Sequence, residues 1–138
     1  MASVATYLNF LGNTEEAFEF YRSVFGGEFT SLRRMGEMEG MQIPDDVKSK
    51  IMHIALPITA GHELMGTDMI ESMGHVLHQG NNVSIVLNLD NLDEANRLYA
   101  GLASGSPDDQ PIFQAPWGAH FGMCVDPFGT RWMFNIAG

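Results

Sequence analysis

Apolar and polar side chains alternate along most of this chain, and the alternation gives way twice to a stripe of helical period. Ala17, Phe20, Tyr21 and Val24 form the first stripe, and Ala95, Leu98, Tyr99 and Leu102 form the second. The two stripes belong to an internal repeat: Asn13, Glu16, Ala17 and Tyr21 recur at the same spacing as Asn91, Glu94, Ala95 and Tyr99. Asn at the start with Glu three residues on has the form of a capping box, so Asn13 and Asn91 are the expected N-caps. Gly26-Gly27 and Gly105 are the expected stops. Strands are expected at 7–10, 28–34, 51–58 and 62–67, and again at 86–89, 111–114, 119–125 and 131–136. Ala60-Gly61 and Asp126-Pro127-Phe128-Gly129 supply turn residues within two hairpins. Each half therefore reads strand–helix–strand–strand–strand. The expected fold is α+β: one domain over 1–138, made of two βαβββ modules (about 1–69 and 83–138) joined by a linker at about 70–82. Residues 35–50 and 69–82 fit no regular element and read as long loops.

Alternation also assigns faces, because successive strand side chains point to opposite sides. Leu8 and Phe10 should lie under the first helix, leaving Ala5, Tyr7 and Asn9 opposite. Met52, Ile54, Leu56 and Ile58 leave His53 and Ala55 opposite. In the second half, Ile85, Leu87 and Leu89 leave Ser84, Val86 and Asn88, while Trp132, Phe134 and Ile136 leave Met133 and Asn135. Two such sheets curving together would enclose a cleft lined by the second faces. Asn9, His53, Ser84, Asn88 and Asn135 are its polar candidates; Tyr7, Met65, Met133 and Trp117 are its apolar ones, with His120 at its mouth. A mainly apolar cleft with a few convergent polar groups is the usual form of a small-molecule site.

The 138 residues are 45% hydrophobic and 17% charged, which suits a folded domain. A formal net charge of −10 argues against nucleic-acid and anionic-membrane partners, both of which need basic surface. The single cysteine, Cys124, precludes an intrachain disulfide, and the first ten residues lack a secretory pattern. A cytoplasmic protein is the expectation. No Gly-rich phosphate loop follows a strand, so no nucleotide cofactor is expected.

Several stretches resemble a known family. They include Tyr7-Leu8-Asn9-Phe10, Phe20-Tyr21, Phe25-Gly26-Gly27-Glu28, Met52-His53, Pro116-Trp117-Gly118, Phe121-Gly122-Met123, and Asp126-Pro127-Phe128-Gly129 with Trp132. With the paired βαβββ pattern, they resemble the vicinal oxygen chelate superfamily: glyoxalase I, extradiol dioxygenases, fosfomycin-resistance thiol transferases and bleomycin-binding proteins. The match is narrower to its PhnB-like branch. The resemblance implies a homodimer. It also implies metal ligands from the first and last strand of each module, at positions that fall on Ala5 (or Thr6), Met65, Ser84 and Met133. None offers the carboxylate or imidazole that a hard or borderline divalent metal takes, so no metal cofactor is expected. Similar sequences are sometimes labelled demethylubiquinone methyltransferase, a label that no residue here supports.

His53 is the expected centre of any chemistry, as a general base or as an anion-binding group. His75 and His78 are spaced for a metal but lie among loop residues, and Cys124 reads as a buried small hydrophobe rather than a nucleophile. Met35, Met38 and Met41 either line an adaptable pocket or subunit contact, or fill gaps. The leading expectation is a metal-free protein that binds an unidentified small molecule. The alternatives are a glyoxalase- or dioxygenase-type enzyme whose metal uses non-standard ligands including His53, and a metal-free lyase or isomerase with His53 as base.

Overall fold

A computed structural model describes residues 2–137. The chain divides into two compact units, Met1–His78 and Gln79–Gly138, and the division falls within the stretch expected to be a linker.

In the first unit, β1 (Thr6–Phe10) leads to α1 (Thr14–Phe25), followed by β2 (Ser31–Arg34), β3 (Ile51–Thr59) and β4 (His62–Asp68). They form a mixed four-stranded sheet in the order β1-β4-β3-β2, with β1 parallel to β4 and the remaining pairs antiparallel. The helix covers one face. Ala17, Phe18 and Tyr21 are fully buried, as are Ile54, Leu56 and Leu64 of the sheet. Phe18 is a residue that the expected stripe omits, and Phe20, which the stripe includes, is half-buried. The reason is Gly66. A Cβ there would lie 2.6 Å from the Phe18 ring, so the strand leaves a gap that the ring fills. Phe10 and Tyr21 pack edge-on against the same ring, with centroids 6.4 and 5.5 Å away.

Two further departures from the expected pattern have local causes. The β2–β3 register shifts between Arg33 and Arg34, so that Arg34 pairs with Ile51. This bulge sends Ile51 into the core at 1% exposure and leaves Met52 half-buried. A second shift, between Pro57 and Thr59, leaves Ile58 half-buried too.

Asn13 makes no side-chain cap to α1. The buried Asp68, at the end of β4, does so instead: its Oδ1 accepts from the Thr14 N–H at 3.0 Å and its Oδ2 from the Ile51 N–H at 2.7 Å. One carboxylate thus ties the first residue of α1 to the first residue of β3. The helix ends as expected at Gly26, whose φ of 79° lies in the region that glycine reaches without strain.

In the second unit, β5 (Ile85–Leu89), α2 (Leu92–Leu102), β6 (Gln110–Gln114), β7 (His120–Val125) and β8 (Arg131–Ile136) form a sheet in the order β5-β8-β7-β6, again with its first two strands parallel. Here Asn91 caps as expected, its Oδ1 accepting from the Glu94 N–H at 2.9 Å. The helix stops at Ala103 rather than Gly105; the Ala103 N–H still reaches the Tyr99 carbonyl, and the Gly105 N–H turns instead to Asp109 Oδ2 at 2.8 Å. Trp132 and Phe134 are fully buried in the core, and Tyr99 packs against Phe134 with ring centroids 5.6 Å apart. Asp126, also buried, accepts from the Phe128 and Thr130 N–H groups and from Trp132 Nε1 at 2.9 Å, which locks the β7–β8 turn to the core.

Replacing Asp68 by Ala strands two buried N–H groups and should cost about 2–5 kcal/mol in urea unfolding. Thr14 Oγ1 is buried without a hydrogen-bond partner. Thr14→Val should therefore leave stability unchanged or raise it by about 1 kcal/mol; a loss in the same assay would mean that the hydroxyl is satisfied.

Candidate functional site

Each sheet has a face turned away from its helix. On the first, strand alternation places Tyr7 and Asn9 of β1, Met65 and Thr67 of β4, His53 and Ala55 of β3, and Ser31 and Arg33 of β2. The register brings Tyr7 opposite Met65, Met65 opposite Ala55, Ala55 opposite Ser31, and His53 opposite Arg33. His53 lies in the middle of this face, between Arg33 on β2 and the β4 strand. Its Nδ1 lies 3.0 Å from Ser31 Oγ, and the Tyr7 ring is 5.9 Å from its own at a tilt of 44°. With Nδ1 engaged, Nε2 remains to donate to or accept from a ligand. Tyr7 is 48% exposed, and Arg33, opposite His53 on the other edge strand, is exposed and 3.8 Å from Glu37 Oε1, so the face offers a phenol, an imidazole and a guanidinium over the apolar floor of Ala55 and Met65. At the edge of this sheet a cavity of about 340 Å³ is lined by Ala5, His62, Glu63 and Met65, among others.

On the second sheet, Asn88 and Asn135 pair across β5 and β8, with Asn135 Nδ2 donating to Asn88 Oδ1 at 3.0 Å. Val86 faces Met133, and Met133 faces Met123. Ser84 precedes β5, on the side of Val86 by alternation. The other expected site residues lie apart. His120 pairs with Gln114 and Ile136 and shares the helix-side row of Gly122 and Cys124. Trp117 projects from the β6–β7 turn, 78% exposed.

The faces assigned from alternation omitted Ser31 and Arg33. The signal was present in Leu32, whose apolar side chain turns both neighbours to the open face, but a single apolar residue in a four-residue strand is a short pattern to read. Thr67 was omitted too, although Leu64 fixes its side in the same way as that of Met65.

A model of the glyoxalase/bleomycin resistance protein/dioxygenase superfamily matches residues 4–134. The chain belongs to that superfamily. Among curated relatives, it is 29% identical over 145 aligned positions to protein YjdN of Escherichia coli K12, covering 96% of this chain and 94% of YjdN. Among solved structures, it is similar to protein PA1353 of Pseudomonas aeruginosa, with 34% identity, a TM-score of 0.83, and coverage of 99% of this chain and 98% of that one. A Bacillus cereus structure described as a putative 3-demethylubiquinone-9 3-methyltransferase, PhnB protein, shares the fold at 24% identity with a TM-score of 0.74, covering 99% of this chain and 100% of that one.

The superfamily's divalent metal can be tested against the side chains present. Two equivalent positions in the two sheets are Met65, opposite Tyr7, and Met133, opposite Val86. Ala5 and Ser84 lie two residues before Tyr7 and Val86. Thr6 sits on the helix side of β1 with its hydroxyl 2.9 Å from His62 Nε2. A methyl, an alcohol and two thioethers do not fit a hard or borderline divalent ion. Among the described residues, no three His, Cys, Asp or Glu side chains gather where they could share one. His75 serves its own turn, with Nδ1 accepting from the Ile70 N–H at 2.8 Å.

Cys124 is fully buried. Burial, with smaller contributions from the Asp109 and Asp126 carboxylates, pushes its thiol from about 9 up to about 12. The native thiol should resist Ellman's reagent at pH 8 and react fully after unfolding in urea; rapid native labelling would refute this burial. The unfolded thiol ionises first, so its contribution to stability is complete below about pH 9 and is lost towards pH 12, by at most about 1.4 kcal/mol per pH unit.

Proposed function

We propose that this superfamily member binds a small organic molecule carrying an anionic or hydrogen-bond-accepting group, without the usual divalent metal, on the open face of its first sheet. The observation that carries this reading is the Ser31–His53–Tyr7 cluster. The 3.0 Å contact between Ser31 Oγ and His53 Nδ1 orients the imidazole, and the neighbouring Tyr7 ring supplies a flat apolar surface with a polar tip. Arg33, opposite His53 in the register, adds a guanidinium whose exposed pairing with Glu37 at 3.8 Å is weak, so that a ligand carboxylate or phosphoryl group would compete for it. The floor of Met65 and Ala55 accepts the apolar remainder.

The same contact favours a second reading, in which His53 acts as a general base on the bound molecule. Geometry for proton transfer needs the reacting atom within hydrogen-bond reach of the imidazole. The two readings separate on turnover.

The test is a thermal-shift screen with small aromatic carboxylates and phosphonates, run with and without EDTA. A stabilising compound should act equally in both buffers. Its shift should be lost in His53→Ala and reduced in Tyr7→Leu, with affinity about 10–100-fold weaker for the former. Stabilisation that needs a divalent metal, or that survives His53→Ala, would overturn the reading.

A further inference from the structure

We propose that the ligand of the open first-sheet face is an elongated, two-headed molecule. Its carboxylate or phosphoryl group is held at the His53–Arg33 end, and a carboxamide at its other end is held by Asn9. This rests on the binding reading above and adds to it a second polar contact, a length and a sidedness.

The register divides the face into rows that run across the strands. Tyr7, Met65, Ala55 and Ser31 are successive partners and form one row, apolar over most of its length. The next row begins with Asn9 opposite Thr67 and ends with His53 opposite Arg33. Ile54 lies opposite Gly66, and that register continued by one residue brings His53 to Thr67. The second row thus sets an amide, a hydroxyl, an imidazole and a guanidinium in line. Neighbouring strands lie about 4.8 Å apart, which puts Asn9 about 10 Å from His53 and about 14 Å from Arg33. Residues two apart on a strand are separated by about 7 Å, close to the width of an aromatic ring. A flat body resting on Tyr7, Met65 and Ala55 therefore presents one long edge to the polar row.

Two observations select Asn9. Its side chain is exposed, and among the described residues it has no hydrogen-bond partner. The equivalent residue of the second sheet, Asn88, is instead satisfied by Asn135 at 3.0 Å. In the first sheet the place of Asn135 is taken by Thr67, whose hydroxyl donates to the Ile51 carbonyl at 3.3 Å. The Asn9 amide thus keeps a carbonyl acceptor and an NH₂ donor for a ligand, and a carboxamide answers both at once. Glu63 fixes the orientation. Alternation sets it on the same face as Met65 but beyond the apolar row, where its carboxylate accepts from Thr30 Oγ1 at 2.6 Å. An anionic group is repelled from that side and meets His53 and Arg33 on the other.

The test is calorimetric titration of the full chain with three compounds: a biphenyl para-carboxylate carrying a para′-carboxamide, the same biphenyl without the amide, and its one-ring counterpart, para-carbamoylbenzoate. The two-headed biphenyl should bind about 3–10-fold more tightly than either of the others, the worth of a hydrogen bond made at the right span. It should also shift the 15N–1H signals of the Asn9 side-chain amide. Asn9→Ala, at an exposed position, should remove this advantage and leave the affinity for the amide-free biphenyl unchanged, since such non-additivity marks a direct contact. An equal loss for both biphenyls in Asn9→Ala, no loss for either, or equally tight binding of the one-ring compound would overturn the proposal. Binding that is lost in His53→Ala but is blind to the amide would overturn it and leave the anion-binding reading standing. Binding of none of the three would overturn it as well, and the wider thermal-shift screen then decides the reading on which it rests.

Discussion

Asp68 carries the first unit. Its two oxygens satisfy two N–H groups at the starts of two different elements, so the entry of α1 and the entry of β3 are set by one buried side chain. A buried carboxylate is costly unless its acceptor sites are filled, and filling them demands that helix, strand and carboxylate arrive together. The second unit uses different means. Ile136 occupies the equivalent position, opposite Leu89 as Asp68 is opposite Phe10, and α2 is capped by its own Asn91. The second unit's buried carboxylate, Asp126, is placed instead in the β7–β8 turn, where it holds the Trp132 indole.

This difference frames the open faces. With α1 and α2 each fixed on one side, the opposite side of each sheet is free of the demands of core packing and can carry polar groups. The first sheet uses that freedom for His53, Ser31, Tyr7 and Arg33. The second pairs its two asparagines with one another beside methionines and aromatics. Equivalent positions therefore have different chemistry, and the reactive side chains gather on the first sheet.

Much of the fold was legible in the chain because period and repeat both report backbone geometry. The strand at 131–136, both helices and both hairpins follow from alternation, stripes and turn residues. What escaped depended on contacts distant in sequence. Asn13 and Asn91 sit in matching sequence, yet only Asn91 caps, because Asp68, 54 residues beyond Thr14, takes the role in the first unit. Phe18 is buried because Gly66 yields space, and Ile51 because a bulge shifts the register. Of the candidate site, His53, Tyr7 and Asn9 were assigned to their face by alternation alone, whereas Met65 entered as an apolar candidate without a pattern of its own strand to place it. His120 was drawn in by its residue type, although its row belongs to the helix side, and Ser31 was passed over because Leu32 alone marks its strand.

The pairing of Phe18 with Gly66 has a consequence for how such a repeat can change. The first unit places its ring on the helix and its gap on the strand. At the matching strand position, opposite Leu87 as Gly66 is opposite Leu8, the second unit has the buried ring of Phe134, and its helix has the exposed Asn96 where the first has Phe18. Transplanting one helix onto the other sheet would set two rings in one space, or leave none. Exchange of a helix between the halves is thereby penalised, so each half is held to its own arrangement of ring and gap.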